Sequence, residues 1–197
     1  VLGVMAGFFG GWIDTLISRT CDIILSVPLL LFAIGIVAAC STSREGCLNG
    51  TLKPGLGLVI VIISLFTWPY VARLVRGNML SLREREFVEA SRSLGAGNAR
   101  IMFREILPNL VSPIVVYASL LIPASILFEA YLSFLGLGVP EPYPSWGRML
   151  SVSAAAYAQK APHLVIFPGL AISLAVFGSN LLGDALRDTL DPRLRGA

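Results

Sequence analysis

Four stretches without a charged residue constrain this chain more than anything else in it. Ile23–Cys40 and Gly55–Ala72 have 18 residues each, and Asn109–Phe128 and Leu164–Gly183 have 20 each. A hydrocarbon layer about 30 Å thick takes roughly 20 apolar residues of helix. There each Leu, Ile, Phe or Val favours insertion by about 0.3–0.6 kcal/mol, whereas one central Arg or Asp opposes it by about 2.5–3.5 kcal/mol. Runs this clean insert, and in lipid their backbone groups must bond within the segment, which makes them helices. The expected fold class is all-α, a polytopic transmembrane helical bundle filling residues 1–197. Pro28 in the first run is expected only to bend it. Val1–Gly11 is apolar from its first residue and reads as the end of a helix that begins upstream, giving four complete spans and a partial one. A composition of 55% hydrophobic and 14% charged residues, with mean hydropathy +0.78, excludes an ordinary soluble domain.

The charges fall between the runs. Asp14, Arg19 and Asp22 read as polar breaks after the first apolar piece, and Ser41–Pro54, with Arg44, Glu45 and Lys53, reads as a loop. Seven arginines lie from Arg73 to Arg104, with Arg19 before them and Arg187, Arg193 and Arg195 in the tail at 184–197. Alternating helices put these eleven on one side and leave Arg44, Lys53, Arg148 and Lys160 on the other, so the central stretch and the C-terminus are expected in the cytoplasm. Arginines at span edges orient a membrane chain, and nucleic acid is not an expected partner.

Ser81–Pro108 is the one long segment that does not belong in a membrane. Ser81 with Glu84 three residues on suits a capping box, Phe87, Ala90 and Leu94 recur at helical spacing, and Gly95 suits a left-handed stop. A second short helix is expected from Asn98 to Leu107, ended by Pro108. From charge alone this is either a solvated loop or a docking element.

The order Glu89-Ala90-Ser91, then Gly95, then Leu107-Pro108 resembles the EAA signature of the membrane subunits of bacterial ABC importers. Ser91 takes the third-position Ala, and Glu105 stands where the pattern often has Ile. The segments GFFGGWIDTLISRTCDIILSVP, EAYLSFLGLGVPEPYPSWGRML and PGLAISLAVFGSNLLGDALRDTLDPRLRG resemble the dipeptide and oligopeptide branch of these permeases. The resemblance implies the type I importer permease fold in the bacterial cytoplasmic membrane, a second homologous permease subunit, one or two ATP-binding subunits and an external substrate-binding protein. It also implies that 81–108 carries the coupling helices, with Phe87, Glu89, Ala90, Ser91, Leu94 and Gly95 at the ATPase contact. ATP and Mg would sit in the partner ATPases, with no cofactor in this chain. The expected function is to form the path for short peptides and to receive ATPase motion. The alternative is an ion-coupled carrier with no ATPase partner.

The external loop is expected at 129–163, but Asn109–Pro140 holds one charge, Glu129, in 32 residues, more than one span needs. Either the helix ends near Glu129 and the next piece folds back against the membrane surface, or Glu129 faces an aqueous cavity. An ionisable residue at membrane depth is a functional candidate. Glu129 therefore joins Tyr117, Ser119, Ser125, Ser173 and Asn180 as residues that line a path or bond between helices. Gly3, Gly7 and Gly11 recur every four residues, a spacing that admits close backbone approach or is simply tolerated. Cys40 and Cys47 flank the first external loop and form either a small disulfide or two free thiols, and Cys21 is expected free. His163 is the only histidine, so no metal cluster is expected. No phosphate loop, nucleophile elbow or H-E-x-x-H is present, so neither ATP hydrolysis nor an intramembrane hydrolase is expected here.

Overall fold

The computed structural model describes residues 1–42, 47 and 55–190. Nine α-helices order these residues: α1 Leu2–Phe9, α2 Gly11–Ser26, α3 Leu29–Thr42, α4 Leu56–Leu82, α5 Glu86–Ser93, α6 Asn98–Arg100, α7 Leu107–Phe134, α8 Trp146–Tyr157 and α9 His163–Leu190. A π-helical turn, Ile101–Ile106, joins α6 to α7. Arg44, Glu45 and Lys53 of the expected loop, and Arg193 and Arg195 of the tail, lie outside the described residues.

Three helical stretches are long and apolar enough to cross a membrane: α4, the continuous Asn98–Phe134, and α9. A fourth, the number expected, is reached only if α2 and α3 together make one broken span, and that member does not have the expected form. The run Ile23–Cys40 is not a single bent helix. The chain leaves helical geometry at Val27 and restarts after Pro28, because proline disfavours the α region for the residue before it. Asp14, Arg19 and Asp22 do not break anything either, since all three lie within α2.

The described residues form two compact units, one from residues 1–26, 66–118 and 184–190, the other from 27–42, 47, 55–65 and 119–183. In the first, Val4 and Phe8 of α1, Val75 and Met79 of α4, Val88 of α5, Ile101, Met102 and Ile106 of the π turn, and Leu110 of α7 share one buried cluster. Gly3 and Gly7 let α1 lie on α4. A Cβ at Gly3 would strike the Ala72 backbone, and one at Gly7 would come within 2.6 Å of Met79 Cβ. Gly11 breaks the pattern: nothing lies within 4 Å of it, and its φ of +55° serves the turn between α1 and α2 instead. Arg83 donates to the Gly7 carbonyl (3.1 Å) and the Phe8 carbonyl (3.4 Å), capping the end of α1.

The charges of α2 are neutralised from α4. Asp14 accepts both Nε and Nη2 of Arg76, the latter at 2.6 Å, and Asp22 accepts Arg73 Nη2 at 2.6 Å. A two-pronged Arg–carboxylate pair fixes direction as well as distance. Asp14→Ala is expected to destabilise the purified protein by about 2 kcal/mol by leaving the guanidinium unpaired, and Asp14→Ala with Arg76→Leu to recover most of that loss in a thermal unfolding series.

In the second unit, Ala33, Val37 and Cys40 of α3 pack with Leu58, Val59 and Ile62 of α4 and Leu132 of α7. Cys40 is disulfide-bonded to Cys47, with a Cα–Cα distance of 4.9 Å, and Cys21 is a buried free thiol. By contrast α9 leaves Ile166, Phe167, Leu170, Leu174 and Phe177 exposed. An apolar surface of that extent fits hydrocarbon or another subunit, not water.

Candidate functional site

The stretch between α4 and α7 is a braced helical elbow. Its start differs from expectation: Ser81 lies in the last turn of α4, and α5 begins at Glu86 with Arg85 as an extended N-cap that makes no side-chain cap bond. The Ser81–Glu84 capping box is absent because the preceding helix runs through Ser81. The stop at Gly95 is as the sequence suggests. Its φ is +81°, Gly95 N–H bonds to the Arg92 carbonyl (2.9 Å), and Ala96 N–H bonds to the Ser91 carbonyl (3.0 Å), a complete Schellman closure.

Pro108 does not end a helix. Proline has no N–H to give to Arg104, four residues back, and its ring would press on that carbonyl. The chain widens its turn instead: the Leu107 N–H reaches the Met102 carbonyl, five residues back, and the Asn109 side chain donates to the Glu105 carbonyl at 2.8 Å. The helix thus runs unbroken from Asn98 to Phe134.

The two faces of α5 are sorted by this bracing. Val88 is fully buried with Ile101, Met102 and Ile106. Glu89 and Ala90 are exposed, Phe87 is 39% exposed and Leu94 88%. The spacing of Phe87, Ala90 and Leu94, which would ordinarily mark an inward stripe, here marks the outward one. A rigid element that offers apolar residues to its surroundings has the make-up of a docking surface.

The second unit carries a different site. α7 continues through Glu129 to Phe134 and closes at Gly136 (φ +78°), with Gly136 N–H on Ser133 O (3.0 Å) and Leu137 N–H on Leu132 O (2.8 Å). The expected loop from 129 to 163 is therefore helical at its start and contains α8. Glu129 Oε1 accepts the Ser133 hydroxyl at 2.5 Å and the Ser145 hydroxyl at 3.0 Å, and Ser133 in turn accepts from Val139 N–H at 3.4 Å. Ser145 is the N-cap of α8, yet its side chain makes no cap bond and turns to Glu129. A cap bond contributes about 1 kcal/mol, so the carboxylate holds the stronger claim. Gly138 and Gly147 allow the fold-back, because a Cβ on either would overlap Ser133 or the Ala130 backbone. Glu129 and Ser125 line a cavity of about 1220 Å³.

The other path residues are not gathered there. Ser119 is buried beside Gly183, and Ser173 and Asn180 are exposed on α9. Tyr117 is half-buried in the other unit. Ser125 and Ser173 bond back to the Leu121 and Gly169 carbonyls of their own helices, at 2.8 and 2.9 Å. Sequence reasoning missed Ser133 and Ser145. Ser133 is four residues from Glu129 and becomes legible once α7 is extended past it, whereas nothing local separates Ser145 from an ordinary cap.

Residues 1–196 match the family described as the binding-protein-dependent transport system inner membrane component. The chain belongs to that family. Among curated relatives, the glutathione transport system permease protein GsiD of Pectobacterium atrosepticum is 46% identical over 194 residues, covering 98% of this chain and 60% of the relative. The dipeptide transport system permease protein DppC of Alkalihalophilus pseudofirmus is 46% identical with the same coverage. The chain thus spans about three fifths of the length of these relatives. A chain of the inward-facing MetNI methionine ABC transporter structure superposes with a TM-score of 0.72 at 18% identity, over 96% of this chain and 84% of that one. At that identity the likeness carries the fold alone. As a member of that family, this chain carries its Ser81–Pro108 elbow and its Glu129 cavity on a fold shared with a chain of that transporter.

Proposed function

We propose that this chain is a membrane-spanning subunit of an ATP-driven importer of short peptides or peptide-like compounds, multi-pass in the bacterial inner membrane with its C-terminus in the cytoplasm. It pairs with a second permease subunit, meets ATP-binding subunits through α5, and receives substrate from an external binding protein. ATP and Mg are handled by those ATPases, whose hydrolysis this chain couples to movement. The observation that carries the reading is the sorting of α5: Val88 is locked into the core, and Phe87, Ala90 and Leu94 face out. Closure of the ATPases would push on that face. Because Val88 packs with Ile101, Met102, Ile106, Val75, Met79 and Leu110, the displacement would pass into α1, α4 and α7 without being absorbed by a loose loop. Glu89, Ser91 and Gly95 belong to the same contact. Ser125 and Glu129 are the path residues that share a cavity, and Tyr117, Ser119, Ser173 and Asn180 act singly along the spans.

The names of the relatives, which concern glutathione and dipeptides, support the substrate class. The family, defined by dependence on a binding protein, favours this reading over an ion-coupled carrier. The full-length complex, reconstituted in vesicles with its binding protein, is expected to take up a labelled dipeptide or glutathione only with ATP inside the coupling compartment. A purified complex without an ATPase, or uptake that ignores ATP, would overturn the reading.

A further inference from the structure

Glu129 has one carboxyl oxygen that its visible bonds do not use. The Ser133 and Ser145 hydroxyls fasten the fold-back through one oxygen of Glu129 and leave the other uncommitted. Both hydroxyls meet the same oxygen, Oε1, and among the described residues no donor meets Oε2 and no Arg or Lys forms an ion pair with Glu129. Arg148, the nearest cation in sequence, is engaged with Glu141 at 2.9 Å. The free oxygen belongs to a half-buried side chain on a cavity whose walls are otherwise mostly apolar, including Leu56, Ile60, Ile63 and Ile126. A carboxylate in such surroundings is best compensated by a positive partner. Tyr143 and Trp146 line the same cavity, and aromatic faces attract cations and not anions.

We propose that this cavity binds a primary ammonium group carried on an apolar body, with the ammonium on Glu129 and the body against Ile60, Ile63 and Ile126. The group tells nothing of its source by itself. The N-terminus of a short peptide and the ethanolamine headgroup of a lipid both present it. The inference does not depend on the import reading, because binding needs neither ATP nor turnover.

The test uses the full-length chain in its purified complex, held in nanodiscs of phosphatidylglycerol, and titrates phenethylammonium and its neutral analogue 2-phenylethanol by ligand-observed NMR. The wild type is expected to bind the amine at least about tenfold more tightly than the alcohol, and Glu129→Gln to lose that preference. Ile60→Trp, which fills the cavity and leaves the carboxylate alone, is expected to lose the amine as well. Equal amine binding by the wild type and Glu129→Gln, or full binding by Ile60→Trp, would overturn the proposal. Repeating the titration in phosphatidylethanolamine discs assigns the source: weaker amine binding identifies the lipid headgroup, and unchanged binding identifies a soluble amine. Complexes that fail to transport but still discriminate amine from alcohol would count against the import reading and leave this site standing.

Discussion

Leu94→Asp is expected to reach the membrane at the wild-type level, to fold with an unchanged melting temperature, and to cut ATP-driven uptake by at least about tenfold. Leu94 is 88% exposed and outside the buried cluster, so its loss removes nothing that holds the subunit together. An apolar anchor at the centre of an interface is worth about 2 kcal/mol or more when lost, and in the proposed contact the replacement would also put a carboxylate where water is excluded. Glu89→Lys, at another exposed position of α5, is expected to act in the same sense. Uptake in vesicles containing every subunit, read beside the amount of ATPase retained on purification, checks this. Wild-type uptake by Leu94→Asp would remove α5 from the coupling contact.

Gly147→Leu should do the opposite, damaging the fold before any transport is measured. The first turn of α8 lies so close to α7 that even a Cβ at Gly147 would overlap the Ala130 backbone, and backbone cannot swing aside as a side chain can. The expected loss is about 3 kcal/mol or more, seen as failure to accumulate or as a sharply lowered melting temperature in detergent. Gly35→Ala is the matched control. Nothing lies within 4 Å of the position a Cβ would take there, and its melting temperature is expected to hold.

What could be read from the residues follows from the range of the forces involved. Uncharged runs declare themselves because solvation acts on each residue separately, and α4, α7 and α9 lie where those runs fall. Gly95 was legible for a similar reason, since a left-handed stop is a local preference of the backbone. Ser81 misled because a cap signal has force only where the previous helix ends, and α4 runs through it. Pro108 misled because the expected break was replaced by a wider turn that accommodates the missing N–H and the proline ring. Asp14 and Asp22 looked like interruptions because Arg76 and Arg73, their partners, are far along the chain. Ser145 was silent for the same reason: its bond to Glu129 competes with a cap bond, and only the folded chain decides between them. The outward direction of Phe87, Ala90 and Leu94 was equally hidden, since spacing gives a stripe and not the side it faces.

The widened turn at Ile101–Ile106 has a consequence that counting along the helix would conceal. One additional residue in that loop of hydrogen bonds advances the angular phase by about 100°, one residue's share of a 3.6-residue turn. Every side chain from Leu107 onward therefore points where its neighbour would have pointed in an uninterrupted α-helix. A one-residue deletion inside the turn, harmless to length and hydropathy alike, would rotate the aim of the whole downstream rod.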